Sequence, residues 1–172
     1  MIRKIFWYIY VMPLEWLVIM MLSATVLWLF AKKIFGKKFI WKCGNLMVSV
    51  CMIFAILTVT LLSRNSEGVE LILTPFHSFI EAKTQPEIYR SMLMNVFLFF
   101  PLGLTLPFAL PEKWNRNALL TVLFAFTLSF VIEFLQFHYY IGRAEVDDVI
   151  CNTLGAAIGT LSYTLERKIF TK

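Results

Sequence analysis

The sequence predicts an all-α fold, a polytopic bundle of transmembrane helices. Of the 172 residues, 59% are hydrophobic and 16% are charged, against about 25% charged in ordinary soluble domains. A soluble domain of this length would have too few polar residues to cover its surface. Because lipid offers the backbone no hydrogen-bond partners, crossing segments must be helices or closed barrels. Barrel strands alternate apolar and polar residues, and the long apolar run at residues 120–132 does not.

Five apolar segments predict five spans in a single domain that covers residues 1–172. Their approximate bounds are 14–31, 43–62, 91–110, 117–137 and 149–165. A crossing helix needs about 20 residues, with a range of roughly 17 to 25. The middle three segments meet this length, whereas the last is short and the first must begin before Trp16. The alternative is four spans, with residues 5–15 lying along the membrane interface.

The charges of the loops predict the orientation. Residues 32–42, 111–116 and the tail from 166 lie on one side and together carry a formal charge of +8. Residues 63–90 and 138–148 lie on the other side and together carry −3. Since positive loops stay in the cytoplasm, we expect a multi-pass cell-membrane protein with a cytoplasmic C-terminus. The positive charge is therefore a topology signal, and we expect no nucleic-acid partner.

With this topology, three spans place polar residues at the same depth, at the outer leaflet. Asn95 lies near the outer end of the third span, Glu133 and Gln136 lie near that of the fourth, and the fifth begins after an acidic loop. The predicted outer pocket contains eight ligand-binding candidates: Asn95, Glu133, Gln136, Arg143, Glu145, Asp147, Asp148 and Asn152. A carboxylate inside a span costs roughly 2.5–3.5 kcal/mol on insertion scales. Glu133 must therefore be paired, hydrated or protonated, and Arg143 is its nearest candidate partner in sequence.

Helical spacing predicts which faces of the last two spans meet neighbours. Glu133 and Gln136 are three residues apart and share one face of their helix. Asp148, Asn152, Gly155 and Gly159 follow steps of four, three and four, so they share a face as well. Gly155 and Gly159 form a G-x-x-x-G pattern, which lets helices approach closely. The face that carries the polar residues should therefore also be the packed face.

Each of these features also has a structural interpretation. Asp147 and Asp148 suit the first turn of a helix, where the helix dipole favours negative charge. Gln136 suits a membrane interface, and G-x-x-x-G is common in membrane packing. The catalytic residues are unknown, with Glu133, Asp147 and Asp148 as the candidates. The cysteine spacing predicts no zinc site, we expect no dedicated metal site, and the sequence requires no cofactor.

Three blocks of sequence resemble the VanZ-like family of membrane proteins. They read NVFLFFPLG, FVIEFLQ and GRAEVDDVICNTLGAAIG, and they cover roughly Asn95 to Gly159. The outer-loop LILTPF at residues 71–76 resembles a further family block that ends in Pro-Phe. Carried over residue by residue, the third block gives Arg143, Glu145, Asp147, Asp148, Asn152, Thr153 and Gly155. Asn95, Pro101, Gly103, Glu133 and Gln136 match directly, while the Glu145 position more often carries Asp.

The resemblance implies a role in the cell envelope, because the founding member is associated with resistance to teicoplanin. The implied function is reduced sensitivity to teicoplanin or lipoglycopeptides, with membrane lipid as a partner and an envelope lipid or the drug as ligand. From the residues themselves, we place the ligand's head group against Arg143, Asn95 and Gln136. An intramembrane enzyme remains open, with a carboxylate as general base or as ligand of a hard divalent cation. A small transporter ranks third, because transporters bind near the midplane and this cluster is one-sided.

Overall fold

The computed structural model describes residues 14–34, 38–62, 70–111 and 116–170. Within them the α-helices are α1 (Leu14–Ile34), α2 (Lys38–Leu57), α3 (His77–Glu81), α4 (Pro86–Ala109), α5 (Asn117–His138) and α6 (Val146–Phe170). A π-helical turn, Thr58–Leu62, continues α2. Two short strands, β1 (Glu70–Ile72) and β2 (Arg143–Glu145), complete the fold. The predicted all-α bundle is confirmed.

Three helical segments in the described residues are long and apolar enough to cross a membrane. They are Phe39–Leu61, Glu87–Ala109 and Asn117–His138. The first helix has a shorter apolar stretch, Ile19–Trp28, and α6 is longer but more polar. Five spans remain a prediction. The interfacial alternative for residues 5–15 falls almost entirely outside the described residues.

The bundle buries polar side chains and exposes apolar ones, which is the pattern expected of a protein in lipid. The helix α5 shows this most clearly. Its buried residues are Asn117, Thr121, Ala125, Ser129, Ile132, Glu133 and Gln136. Its opposite side exposes leucine and phenylalanine, among them Leu123, Phe130 and Phe134. Water would not stabilise such a surface, whereas hydrocarbon accepts it.

The two longest helices, α4 and α6, cross with their backbones in contact at three glycines. A Cβ on Gly103 would overlap the backbone of Ala156, and one on Gly155 would overlap that of Val96. A Cβ on Gly159 would overlap the backbone between Phe100 and Leu104. Only residues without a side chain fit these positions, so α4 and α6 form the centre of the bundle.

Several features of the structure differ from the sequence-based expectation. The helix α4 begins at Pro86 rather than near residue 91, because proline suits the first turn of a helix, where its missing N–H is not needed. The pair of strands and the π-helical turn are also additions. With three residues each, β1 and β2 are too short to show the alternation by which strands are recognised.

Candidate functional site

The two acidic loops meet at one end of the bundle. The strands β1 and β2 pair in parallel, with Glu70 opposite Arg143 and Ile72 opposite Glu145. We call this the carboxylate end and define it by six residues: Glu70, Glu81, Glu133, Glu145, Asp147 and Asp148. The opposite end, where α1 ends at Ile34 and α2 begins at Lys38, is called the lysine end.

Asp147 holds the turn formed by residues 73–78 against the start of α6. Its carboxylate oxygens accept the backbone N–H of Phe76 at 2.6 Å and that of Ser78 at 2.7 Å. The side chain is only 1% exposed. Phe76 has a φ of 64°, a left-handed conformation that is costly for a side chain of this size. The two charge-assisted hydrogen bonds offset that cost.

Arg143 joins the strands and α3 through three glutamates. Its guanidinium lies 3.1 Å from Glu70 Oε2, 3.2 Å from Glu145 Oε1 and 3.5 Å from Glu81 Oε2. Glu145 also accepts a hydrogen bond of 2.6 Å from the Ser78 hydroxyl. The side chains of Arg143 and Glu70 are exposed enough for solvent to screen them, at 36% and 63%. This network is therefore suited to fixing a loop more than to stabilising the whole bundle.

Glu133 and Asp148 lie deeper and at the same level. The Asn152 amide on α6 donates to Ser129 Oγ on α5 at 2.8 Å. The two helices run antiparallel, so one turn toward the carboxylate end brings Glu133 level with Asp148. Each residue is 8% exposed, and neither faces lipid. Glu133 accepts the backbone N–H of Glu145 at 2.9 Å, which ties α5 to the strand pair above it.

Gln136 and Asn95 complete the predicted set in different ways. The Gln136 amide donates to the Thr60 carbonyl at 2.9 Å and is fully buried. Thr60 lies in the π-helical turn, whose altered pairing leaves that carbonyl open to a side chain. Asn95 lies on α4, half-buried, and its Nδ2 is shielded from solvent with no hydrogen-bond partner in the described part of the chain. The parallel contacts of α4 with α6 place Asn95 at about the level of Asn152.

The remaining predicted residues lie on α4 and α6, and the three glycines among them form the crossing of these helices. Gly103, Gly155 and Gly159 form that crossing, as described above. The Pro101 carbonyl accepts a hydrogen bond from Thr105 at 3.0 Å. The Thr153 hydroxyl bonds within its own helix, to the Val149 carbonyl at 2.7 Å.

Sequence reasoning missed Ser129 in this site and placed Arg90 outside its helix. Ser129 lies four residues before Glu133 on the same face of α5, and that spacing alone would have placed it beside the carboxylate. The apolar segment that predicts this helix begins at residue 91, so the sequence places Arg90 in the preceding loop. In the structure it lies on α4, at about the level of the start of α6, with its Nε shielded from solvent. Pro86 was the available signal, as a residue typical of a first helical turn.

The site has two parts. We call Arg143, Glu145 and Asp147 the support, and Glu133 and Asp148 the interior. Arg143, Glu145 and Asp147 hold the loops through ion pairs and hydrogen bonds. Glu133 and Asp148 are two buried carboxylates at one deeper level, and Glu133 is also bonded to the backbone of Glu145. Two carboxylates at one level in a region of low dielectric are typical of proton transfer or of binding to a hydrogen-bond donor. Among the described residues, no three His, Cys, Asp or Glu side chains come together as candidate metal ligands.

Comparison with known proteins agrees with the resemblance found in the sequence. The model of the VanZ/LLP1 family matches residues 44–167. The curated relative "Protein VanZ" of Enterococcus faecium is 36% identical over 98 residues, which is 57% of this chain and 55% of that protein. The alignment therefore spans about half the length of the relative. No solved structure matches this chain. The chain is a membrane protein of the VanZ/LLP1 family.

Proposed function

We propose that this protein lowers the sensitivity of its cell to teicoplanin or related lipoglycopeptides, and that the carboxylate end is where it acts. Membership of the VanZ/LLP1 family supports the role in teicoplanin sensitivity. One structural observation supports the site: Glu133 and Asp148 are buried at the same level on α5 and α6, at the end of the bundle where Arg143 and Asp147 hold the loops. Selection for stability alone does not explain a carboxylate pair in a membrane, where each charge is costly.

The groups around the site indicate an amphiphilic ligand. Leu73, Phe76, Phe79 and Ile80 are exposed beside the support, so an acyl chain has an apolar surface to lie on. Arg143 already pairs with three glutamates, and Gln136 already donates to Thr60. Both are poorly placed to bind a head group directly, in contrast to the arrangement inferred from the sequence. Asn95 is better placed, because its Nδ2 has no partner among the described residues. A carboxylate accepts several hydrogen bonds, so Glu133 and Asp148 can also accept from the N–H or O–H donors of a head group in addition to their contacts within the protein.

A second candidate is an intramembrane enzyme that acts on an envelope lipid, with Glu133 or Asp148 as general base. The observation that favours it is the same buried pair, since environments that separate the protonation of two carboxylates are typical of acid–base catalysis. The two candidate functions differ in their effect on the lipids of the cell envelope. An enzyme changes the chemical composition of the envelope lipids, whereas a binding protein does not.

Expression in a teicoplanin-sensitive bacterium tests the proposal. The minimum inhibitory concentration should rise above that of cells carrying an empty vector, and the rise should shrink for a matched glycopeptide without an acyl tail. Equal protection against both drugs would exclude recognition of the tail. Lipid mass spectrometry of the same cells, with and without a chelator in the growth medium, separates binding from a metal-dependent or metal-independent enzyme. No protection at equal membrane abundance would contradict the proposal.

A further inference from the structure

The helices α2, α4, α5 and α6 bury polar side chains at two levels, with an apolar level between them. The first level is the interior of the carboxylate end already described. The second, which we call the lysine-end layer, consists of Asn45, Ser49, Thr105, Asn117, Thr121 and Thr160. Between them lies the apolar layer of Ile56, Phe99, Leu102, Ala125 and Ala156, each fully buried. No function assigned above uses the lysine-end layer.

Hydrogen bonds and helix register place the lysine-end residues within about two helical turns of one another in depth. The hydroxyls of Ser49 on α2 and Thr105 on α4 lie 2.8 Å apart. The bond between Ser129 and Asn152 fixes α5 against α6. Two turns from that bond toward the lysine end, Thr121 and Thr160 come level in the same way. The layer is therefore formed by all four helices.

Three side chains in this layer have a buried atom without a protein partner. The Asn45 amide donates to the Trp41 carbonyl at 2.7 Å, and the Asn117 amide donates to the carbonyls of Pro107 and Pro111 at 3.1 and 3.3 Å. Carbonyls only accept, so both amides have a fixed orientation and their Oδ1 atoms point elsewhere. These two oxygens and the Thr121 hydroxyl have no partner among the described residues. All three residues are at most 1% exposed.

Buried polar atoms are almost always bound to protein or to ordered water. Two carbonyl-type oxygens and a hydroxyl can all accept, so their partner must be a hydrogen-bond donor. We propose that the lysine-end layer binds water, and that the apolar layer is a hydrophobic gate between this water and the carboxylate end. A constriction of apolar side chains stops water and ions by dewetting. The gate then separates two polar regions of the bundle, the lysine-end layer and the interior of the carboxylate end. This inference does not depend on the proposed function.

An isosteric substitution tests the bound water. Thr121→Val removes the hydroxyl and keeps the shape of the side chain. If water is bound there, the variant loses a hydrogen bond, and its Tm should fall by about 2–4 °C, the shift typical of one such bond in a protein of this size. If the layer is dry, the variant removes an unpaired hydroxyl, and its Tm should stay the same or rise, which would overturn the proposal. Thr127→Val is the control, because that hydroxyl lies on the exposed side of α5 and bonds to Leu123.

Thiol labelling tests the gate. In a variant without Cys43, Cys51 and Cys151, a single Thr121→Cys should react with a small membrane-impermeant reagent from the lysine side of vesicles and not from the other side. Adding Ile56→Ser should allow reaction from both sides. Labelling from both sides with the apolar layer intact would overturn the gate. A Lys42→Cys control reports access to the lysine end. Labelling of that control alone would show that the layer is closed to the lysine side as well, which would overturn the gate. The thermal test keeps the native cysteines, so it stands if the labelling background folds poorly.

Discussion

At the scale of single residues, carboxylates that are neighbours in sequence have different contacts and different roles. Asp147 and Asp148 are adjacent in sequence, yet Asp147 holds the turn at residues 73–78, while Asp148 is buried in the bundle at the level of Glu133. A helix turns by about 100° per residue, so two consecutive side chains cannot serve the same neighbour. This geometry explains why an Asp-Asp pair at the start of α6 serves both the support and the interior.

Asp147 gives the first prediction. Asp147→Ala leaves the buried backbone N–H of Ser78 and the partly buried N–H of Phe76 without acceptors, and it should destabilise the protein by about 3 kcal/mol. Adding Phe76→Gly should recover part of the loss, because glycine adopts a positive φ without the strain, of order 1–3 kcal/mol, that Phe76 bears. Thermal unfolding in detergent measures both effects. Glu87→Ala is the control, since Glu87 is exposed in the first turn of α4. A Tm of Asp147→Ala equal to that of the control would exclude the supporting role.

At the scale of elements, the structure rests on the crossing of α4 and α6. Both helices run from the carboxylate end to the lysine end, and the glycines let them approach until backbone meets backbone. This approach fixes Asn95 at the level of Asn152 and positions α5 beside them. The polar site therefore depends on residues that carry no functional group.

Gly155 gives the second prediction. Gly155→Leu would force α4 and α6 apart, because even a Cβ overlaps the Val96 backbone. We expect a loss of at least about 3 kcal/mol, the upper end of overpacking costs, with lower yield in detergent. Gly44→Leu is the matched control, since a Cβ there has no atom within 4 Å. Equal stability of the two variants would show that the crossing tolerates separation.

Much of this architecture was predictable from the sequence, and the reasons are local. Long apolar runs predicted α2, α4 and α5, and the 4-3-4 spacing predicted which face of α6 is packed. The support was not predictable, because it depends on contacts between residues about 70 positions apart, such as Phe76 with Asp147. The π-helical turn has no sequence signature in Thr58–Leu62. The register of Ser129 with Asn152 required the structure as well, because spacing fixes a face but not a partner.

At the scale of the whole molecule, the protein has two chemically distinct ends. The loops that the sequence assigns to the side of the carboxylate end carry −3, and those assigned to the other side carry +8. The strand pairing of β1 with β2 brings residues 70–72 and 143–145 together. Because Lys and Arg retain loops in the cytoplasm, we expect the carboxylate end to face outward, where a drug or envelope lipid reaches it.

This orientation gives the third prediction. A phosphatase reporter that is active only outside the cytoplasm should be silent when fused after Lys172, and active when inserted between residues 140 and 142. A cytoplasmic reporter at the same two positions is the control and should give the opposite pattern. Phosphatase activity at the C-terminus would show that the orientation is inverted and that the carboxylate end does not face outward.

The most direct test of the account is drug sensitivity in cells that express Glu133→Gln or Asp148→Asn. Each substitution nearly keeps the shape and removes the charge that a donor, a cation or a base requires, so each should remove teicoplanin protection. The level of each variant in the membrane must equal that of the parent. Lys42→Ala, an exposed change at the lysine end, should protect as well as the parent. If both carboxylate variants also protect fully, the buried pair is not the functional site and only packs the bundle.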